Sequence, residues 1–129
     1  MTTLLPNFDS PEIANLLAEM AEATLDDLTF GVIGFDGDTV VRLYNTFESR
    51  CAGLSRERVV GQPLFTIVAP CMNNFMVAQR FQDAAASGDA LDETIDYVLT
   101  LRMRPIKVRL RLVAQPNSAM RYVLVYRTS

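Results

Sequence analysis

A chain of 129 residues that is 50% hydrophobic and 21% charged, with 12 basic against 15 acidic side chains, has material for one core and no positive field for nucleic acid. It has no histidine, which removes the commonest general base and the commonest metal or haem ligand. No apolar run approaches the roughly 18 residues of a membrane span, and "MTTLLPNFDS" has neither a basic start nor a continuous apolar stretch, so a cytoplasmic protein without membrane contact is expected.

Residues 10–22, "SPEIANLLAEMAE", open with a Ser N-cap and Pro at the first helical position, and Ile13, Leu16, Leu17 and Met20 share a face. An amphipathic helix is expected, followed by another turn capped by Thr24. "FGVIGF", "DGD" and "TVVRLY" then form a hairpin, with the Asp-Gly turn supplying the positive φ of a tight reversal. Residues 45–61 read as two short helices, with Asn45 and Ser55 as N-caps and Gly53 and Gly61 as stops. "QPLFTIVAPC" reads as extended or loop as far as Pro70. Asn73 and Asn74 can cap a longer helix running to Ser87, ended by Gly88, with Phe75, Val77, Ala78, Phe81 and Ala85 as its apolar residues.

Three strands close the chain. "LDETIDYVLTLRM" turns at "RP" into "IKVRLRLVA", where Ile106, Val108, Leu110 and Leu112 alternate with Lys107, Arg109 and Arg111, the pattern of a half-buried strand with a charged solvent face. "RYVLVYR" follows the turn "QPNSAM". The order predicts an α+β fold: a five-stranded antiparallel sheet with helices on one side and an N-terminal helical cap, the cap spanning 1–28 and the core 29–129 of one domain. Tyr122 and Tyr126 could form a dimer face or belong to the core, so a monomer or weak homodimer is expected.

Few residues could carry chemistry. Cys71 lies just before an expected helix start, where free backbone N–H groups and the dipole favour a thiolate; the plain alternative is a structural cysteine. Two cysteines, Cys51 and Cys71, make no disulfide framework. Tyr44 and Glu48, four apart, would share a face if their segment were helical. They are either a strand-end tyrosine and a solvated glutamate, or a phenol and a carboxylic acid donating together to a buried anion. In an apolar pocket such a carboxyl can stay protonated and act as a donor. Asp9, Glu12, Glu19, Glu22, Asp26 and Asp27 read as solvation of the N-terminal helices. "DGD" has no calcium-loop spacing, and no metal site is expected.

The stretches "LDDLTFGVIGFDGD", "YN", "VVGQPLF", "VAPC", "ASGD" and "MRPIKV", with Tyr44, Glu48 and Cys71 in register, resemble the photoactive yellow protein family over essentially the whole chain. The resemblance implies a PAS fold and a blue-light receptor carrying p-coumaric acid (4-hydroxycinnamic acid) as a covalent thioester on Cys71. It implies that Tyr44 and Glu48 hydrogen-bond the phenolate end, and that Ile33, Ala52, Leu54, Val68, Phe81, Leu99 and Met103 line the pocket. It also implies trans–cis isomerisation, proton transfer from Glu48, a movable N-terminal cap and sensory signalling to a separate, unidentified downstream protein.

Three positions depart from the family pattern. Ala52 replaces a threonine that supports the tyrosine, Leu54 replaces an arginine at the pocket mouth, and Leu99 stands where an aromatic residue is usual. Altered absorption and recovery are expected from these changes. They equally suit the alternative, a non-photoactive PAS module for another ligand or a protein partner. An enzyme is not expected, because a catalytic thiol would lack a histidine base.

Overall fold

The computed structural model describes residues 5–100 and 105–127. The N-terminal region forms α1 (Ile13–Glu19) and α2 (Glu22–Leu25). The first helix starts later than Ser10 and Pro11 predict, because Glu12 takes a left-handed conformation at φ 53°, while the Ser10 hydroxyl accepts from the Asn7 N–H in a preceding turn. Strands β1 (Gly31–Phe35) and β2 (Val41–Tyr44) form the expected hairpin. Its positive φ falls on Thr39 rather than on Gly37, since the Asp36 carboxylate accepts from the backbone N–H groups of Asp38 and Val40 and sets the turn itself.

Two short helices follow, α3 (Thr46–Ala52) and α4 (Arg56–Val59). Gly53 closes α3 in the left-handed region, as a C-terminal glycine should. The segment expected to be loop holds a π-type turn over Leu64–Val68 and a 3-10 turn over Pro70–Met72. The long helix α5 (Ala78–Ser87) begins four residues after Asn74. Asn74 instead folds its side chain back to accept from the N–H groups of Met76 and Val77, which leaves Phe75 exposed rather than on the helix's apolar face. Strands β3 (Leu91–Leu99), β4 (Ile106–Ala114) and β5 (Arg121–Arg127) complete an antiparallel sheet in the order β2-β1-β5-β4-β3.

The sheet is covered on both faces: the helices after β2 pack on one, and the expected N-terminal helices, α1 and α2, pack on the other. Along β5, Val123 and Val125 point with Ile33, Leu110 and Leu112 into a core roofed by α4, α5 and the two turns. Tyr122 and Leu124 point the other way, under a second core built from Phe8, Ile13, Leu17, Leu25, Leu28 and Phe30 of the N-terminal region. Central strands buried on both faces read as unbroken apolar runs, which is why "GVIGF" and "YVLV" lack alternation. Phe81 anchors α5 by meeting Phe35 edge-on at 4.9 Å, a buried aromatic contact of about 2–3 kcal/mol.

The same cover puts Tyr122 in the core, buried beneath the N-terminal helices, while Tyr126 stays partly exposed. Arg111, expected on the solvent face of β4, is also buried: it grips Asp92 with two hydrogen bonds of 2.8 Å and donates to the carbonyls of Phe8 and Ser10 at 3.0 and 2.7 Å. Lys107 is exposed as expected.

Candidate functional site

The site begins with Asn45, between β2 and α3. Its side-chain oxygen accepts from the N–H groups of Val32 and Glu48, and its amide donates to the carbonyls of Leu25 and Phe30, all between 3.0 and 3.1 Å. Every hydrogen-bonding position of this buried amide is used, on partners from α2, the start of β1 and α3. As the N-cap it starts α3 and fixes where Glu48 lies in the first turn. Asp26 reinforces the entry: it accepts from the Thr46 N–H and from Arg56, whose Nε also holds the Tyr44 carbonyl. Asp26 is thus a structural acceptor rather than a solvating charge.

Glu48 is 2% exposed and lies against β1, so close that a Cβ on Gly31 would sit 2.0 Å from its Oε1. Its carboxylate receives a guanidinium from β5: Arg127 donates from Nη1 and Nη2 to Oε1 and Oε2 at 2.6 and 2.9 Å. Burial pushes the Glu48 carboxyl above the usual glutamate range, while the hydrogen bonds and charge of Arg127 pull against it. Donors on both oxygens are the geometry in which an ionised carboxylate is paired. Arg127 Nε is buried with no hydrogen-bond partner among the described residues.

Tyr44 and Glu48 do not share a helix face, since one ends β2 and the other lies in α3, yet both are buried. Burial, with Glu48 nearby, raises the Tyr44 phenol well above its ordinary range, and Arg127 offsets part of this. Tyr44 therefore stays a neutral donor at any physiological pH. Its ring belongs to the apolar core that also contains Ile33, Val68, Phe81 and Leu99, with Leu54 and Cys71 packed against the edge. Ala52 is buried at the end of α3, and Met103 lies outside the described residues.

Cys71 is a free, half-buried thiol in the 3-10 turn Pro70–Met72. It is not at the start of a long helix, because α5 begins at Ala78, so the dipole argument for its reactivity lapses. Its backbone is held instead: the Tyr97 hydroxyl donates to the Cys71 carbonyl, and Asn74 Nδ2 donates to that carbonyl at 3.1 Å and to the Tyr97 oxygen at 2.6 Å. Asn74 and Tyr97 also line an open groove of about 760 Å³ with Met76 and Val108. The apolar core thus has a phenol and a buried charge pair on one set of elements and a thiol on another.

Sequence reasoning missed Arg127, Asn74 and Tyr97 as site residues. Arg127 had a usable signal, since it falls in phase with Val123 and Val125, the buried face of β5. A charge on an apolar face needs a partner.

A model of the PAS fold matches residues 19–126. The photoactive yellow protein of Rhodothalassium salexigens is 34% identical over 105 residues, covering 81% of this chain and 83% of that protein. The photoactive yellow protein of Halochromatium salexigens is 34% identical over 106 residues, covering 82% and 84%. The crystal structure of the photoactive yellow protein domain from the sensor histidine kinase Ppr of Rhodospirillum centenum superposes with a TM-score of 0.80 at 35% identity, covering 88% of this chain and 98% of that one. Identity at this level across most of each partner, on the same five-stranded sheet, places the chain in the photoactive yellow protein family of PAS domains.

Proposed function

We propose that this chain is a blue-light sensor in which Cys71 holds p-coumaric acid as a thioester, with Tyr44 and Glu48 at the phenol end. The observation that carries the reading is the shared apolar core: Tyr44, Ile33, Val68, Phe81 and Leu99 are its members and Cys71 borders it, in a chain 34% identical to photoactive yellow proteins. The donor set suits such a ligand. An aromatic acid needs a thiol for attachment, apolar walls for its ring, and buried polar groups for its phenol oxygen, including donors such as the free Nε of Arg127.

When bound, the group supplies light absorption and trans–cis isomerisation. The remaining roles belong to the protein. Cys71 is presented on a backbone fixed by Tyr97 and Asn74. Tyr44 donates a hydrogen bond, and the buried carboxyl of Glu48 holds or releases a proton, a change that alters the charge of a site from which water is excluded. Leu54 packs on this core as an apolar wall, and the polar contact a threonine would give is absent at Ala52. The output is a change of shape read by a separate signalling protein, which makes the chain a receptor rather than an enzyme.

The test is to treat purified protein with activated p-coumarate and record intact mass and absorption, with Cys71→Ala in parallel. A gain of one coumaroyl group and a light-bleachable visible band, both absent from Cys71→Ala, are expected. Failure to form an adduct would instead favour a PAS module for another ligand.

A further inference from the structure

We propose that Arg127 is the counter-cation that captures Glu48 after that residue gives up its proton, so that the site alternates between two arrangements with one anion in each. The inference deepens the light-sensor reading and rests on it. A carboxyl group that loses its proton in an apolar site leaves a charge that burial cannot tolerate alone. The described arrangement contains the partner for that charge, already in fork geometry on both carboxylate oxygens, on the middle strand of the sheet.

The surroundings leave no competitor among the described residues. Around Glu48, β2 supplies the neutral Tyr44 phenol, α3 supplies the Cys51 thiol near Arg127, and β1 offers only the backbone of Gly31. Of the other guanidiniums at α3, Arg50 lies exposed on the helix itself, and Arg56 is committed to the Tyr44 carbonyl, Thr46, Asp26 and Glu22. Arg127 therefore acts as a positioning residue that stabilises one protonation state of Glu48.

The transfer balances without any further reactant. The Glu48 O–H bond breaks, an O–H bond forms on the phenolate oxygen, and the carboxylate left behind closes onto a guanidinium that was cationic throughout. In the opposite arrangement Glu48 carries the proton and the phenol oxygen carries the charge. Arg127 favours the first and so prolongs it.

Infrared spectroscopy of the full chain tests this with and without p-coumarate. Glu48→Gln identifies the Glu48 carboxylic-acid band. In ligand-free protein at neutral pH that band should be missing from the unmodified chain, present in Arg127→Met, and missing again in Arg127→Lys, which restores the charge. In p-coumarate-loaded protein, light should convert the Glu48 acid band to carboxylate, and dark recovery should be at least about tenfold faster in Arg127→Met, with Arg127→Lys between. If Arg127→Met does not fold, Arg127→Lys against the unmodified chain decides, because loss of the fork should still hasten recovery. If every variant is loaded and recovers at one rate with one carboxyl signature, the role of Arg127 is overturned while the light-sensor reading stands. If none accepts the ligand, both fall together.

Discussion

Arg127 and Arg111 are guanidiniums on neighbouring strands, each forked onto a carboxylate, and their surroundings separate a pair that can change state from one that only ties elements together. Arg111 uses Nε, Nη1 and Nη2 on Asp92 and the carbonyls of Phe8 and Ser10. Its carboxylate partner is 49% exposed and can rehydrate if released. Arg127 faces a carboxylate that is 2% exposed, and it keeps one buried donor unfilled. A cation bonded through all three of its nitrogens, with a wet partner, is a clamp for the N-terminal region. A partly bonded cation with a dry partner is sensitive to which atom holds the proton.

Removing the dry partner should have the largest effect. Glu48→Leu leaves a mostly buried guanidinium that cannot shed its charge, so a loss of about 3–4 kcal/mol is expected in denaturant unfolding. The Glu48→Leu, Arg127→Met double variant should recover much of that loss; additive losses would show that the pair is not coupled. Asn45→Ala comes next at about 3 kcal/mol, since it strips partners from groups on both faces of the sheet. Arg111→Met should cost about 2 kcal/mol and speed proteolysis before Leu28 while leaving Glu48 ionised. A shifted Glu48 infrared band would break the proposed separation of the two faces.

Acid and base dependence sharpens the contrast. In Arg127→Met, burial raises the Glu48 carboxyl without an opposing cation, so the folded state binds the proton more tightly than the unfolded chain. Its stability relative to the unmodified protein should then be best in mild acid and fall as pH rises through the folded pKa. Asp26 has the opposite sign. Burial raises its pKa, but hydrogen bonds from Thr46 and the charge and hydrogen bond of Arg56 outweigh it, and the net shift is downward. Its contribution is therefore present at neutral pH and lost as pH falls through the folded value. Because Asp26 is partly exposed, Asp26→Asn should flatten the acid limb by less than about 1 kcal/mol in melts across that range.

Local chemistry was legible in the sequence where its cause was local. Asn45 as a cap and Gly53 as a stop follow from short-range rules, and the structure has both; in β4 the alternation holds only from Val108 to Leu110, with Ile106 exposed at the strand's start. Arg111 broke the alternation because its cover comes from residues about a hundred positions earlier. Cys71 misled because Asn74 spends its acceptor on a local turn and delays α5. For the site, motif register singled out Tyr44, Glu48 and Cys71, but the cation that sets the state of Glu48 lies 79 residues away on another strand. Only its phase on β5 hinted at it.

Gly31 has a further consequence. No positive φ is recorded for it; its lack of a side chain is required by the Glu48 oxygen above it. A methyl group there would leave every charge, donor and acceptor of the site in place and simply wedge the carboxylate away from the strand. Gly31→Ala is therefore a spacer rather than a chemical change, a means of varying the Glu48 to Arg127 separation while the composition of the site stays constant.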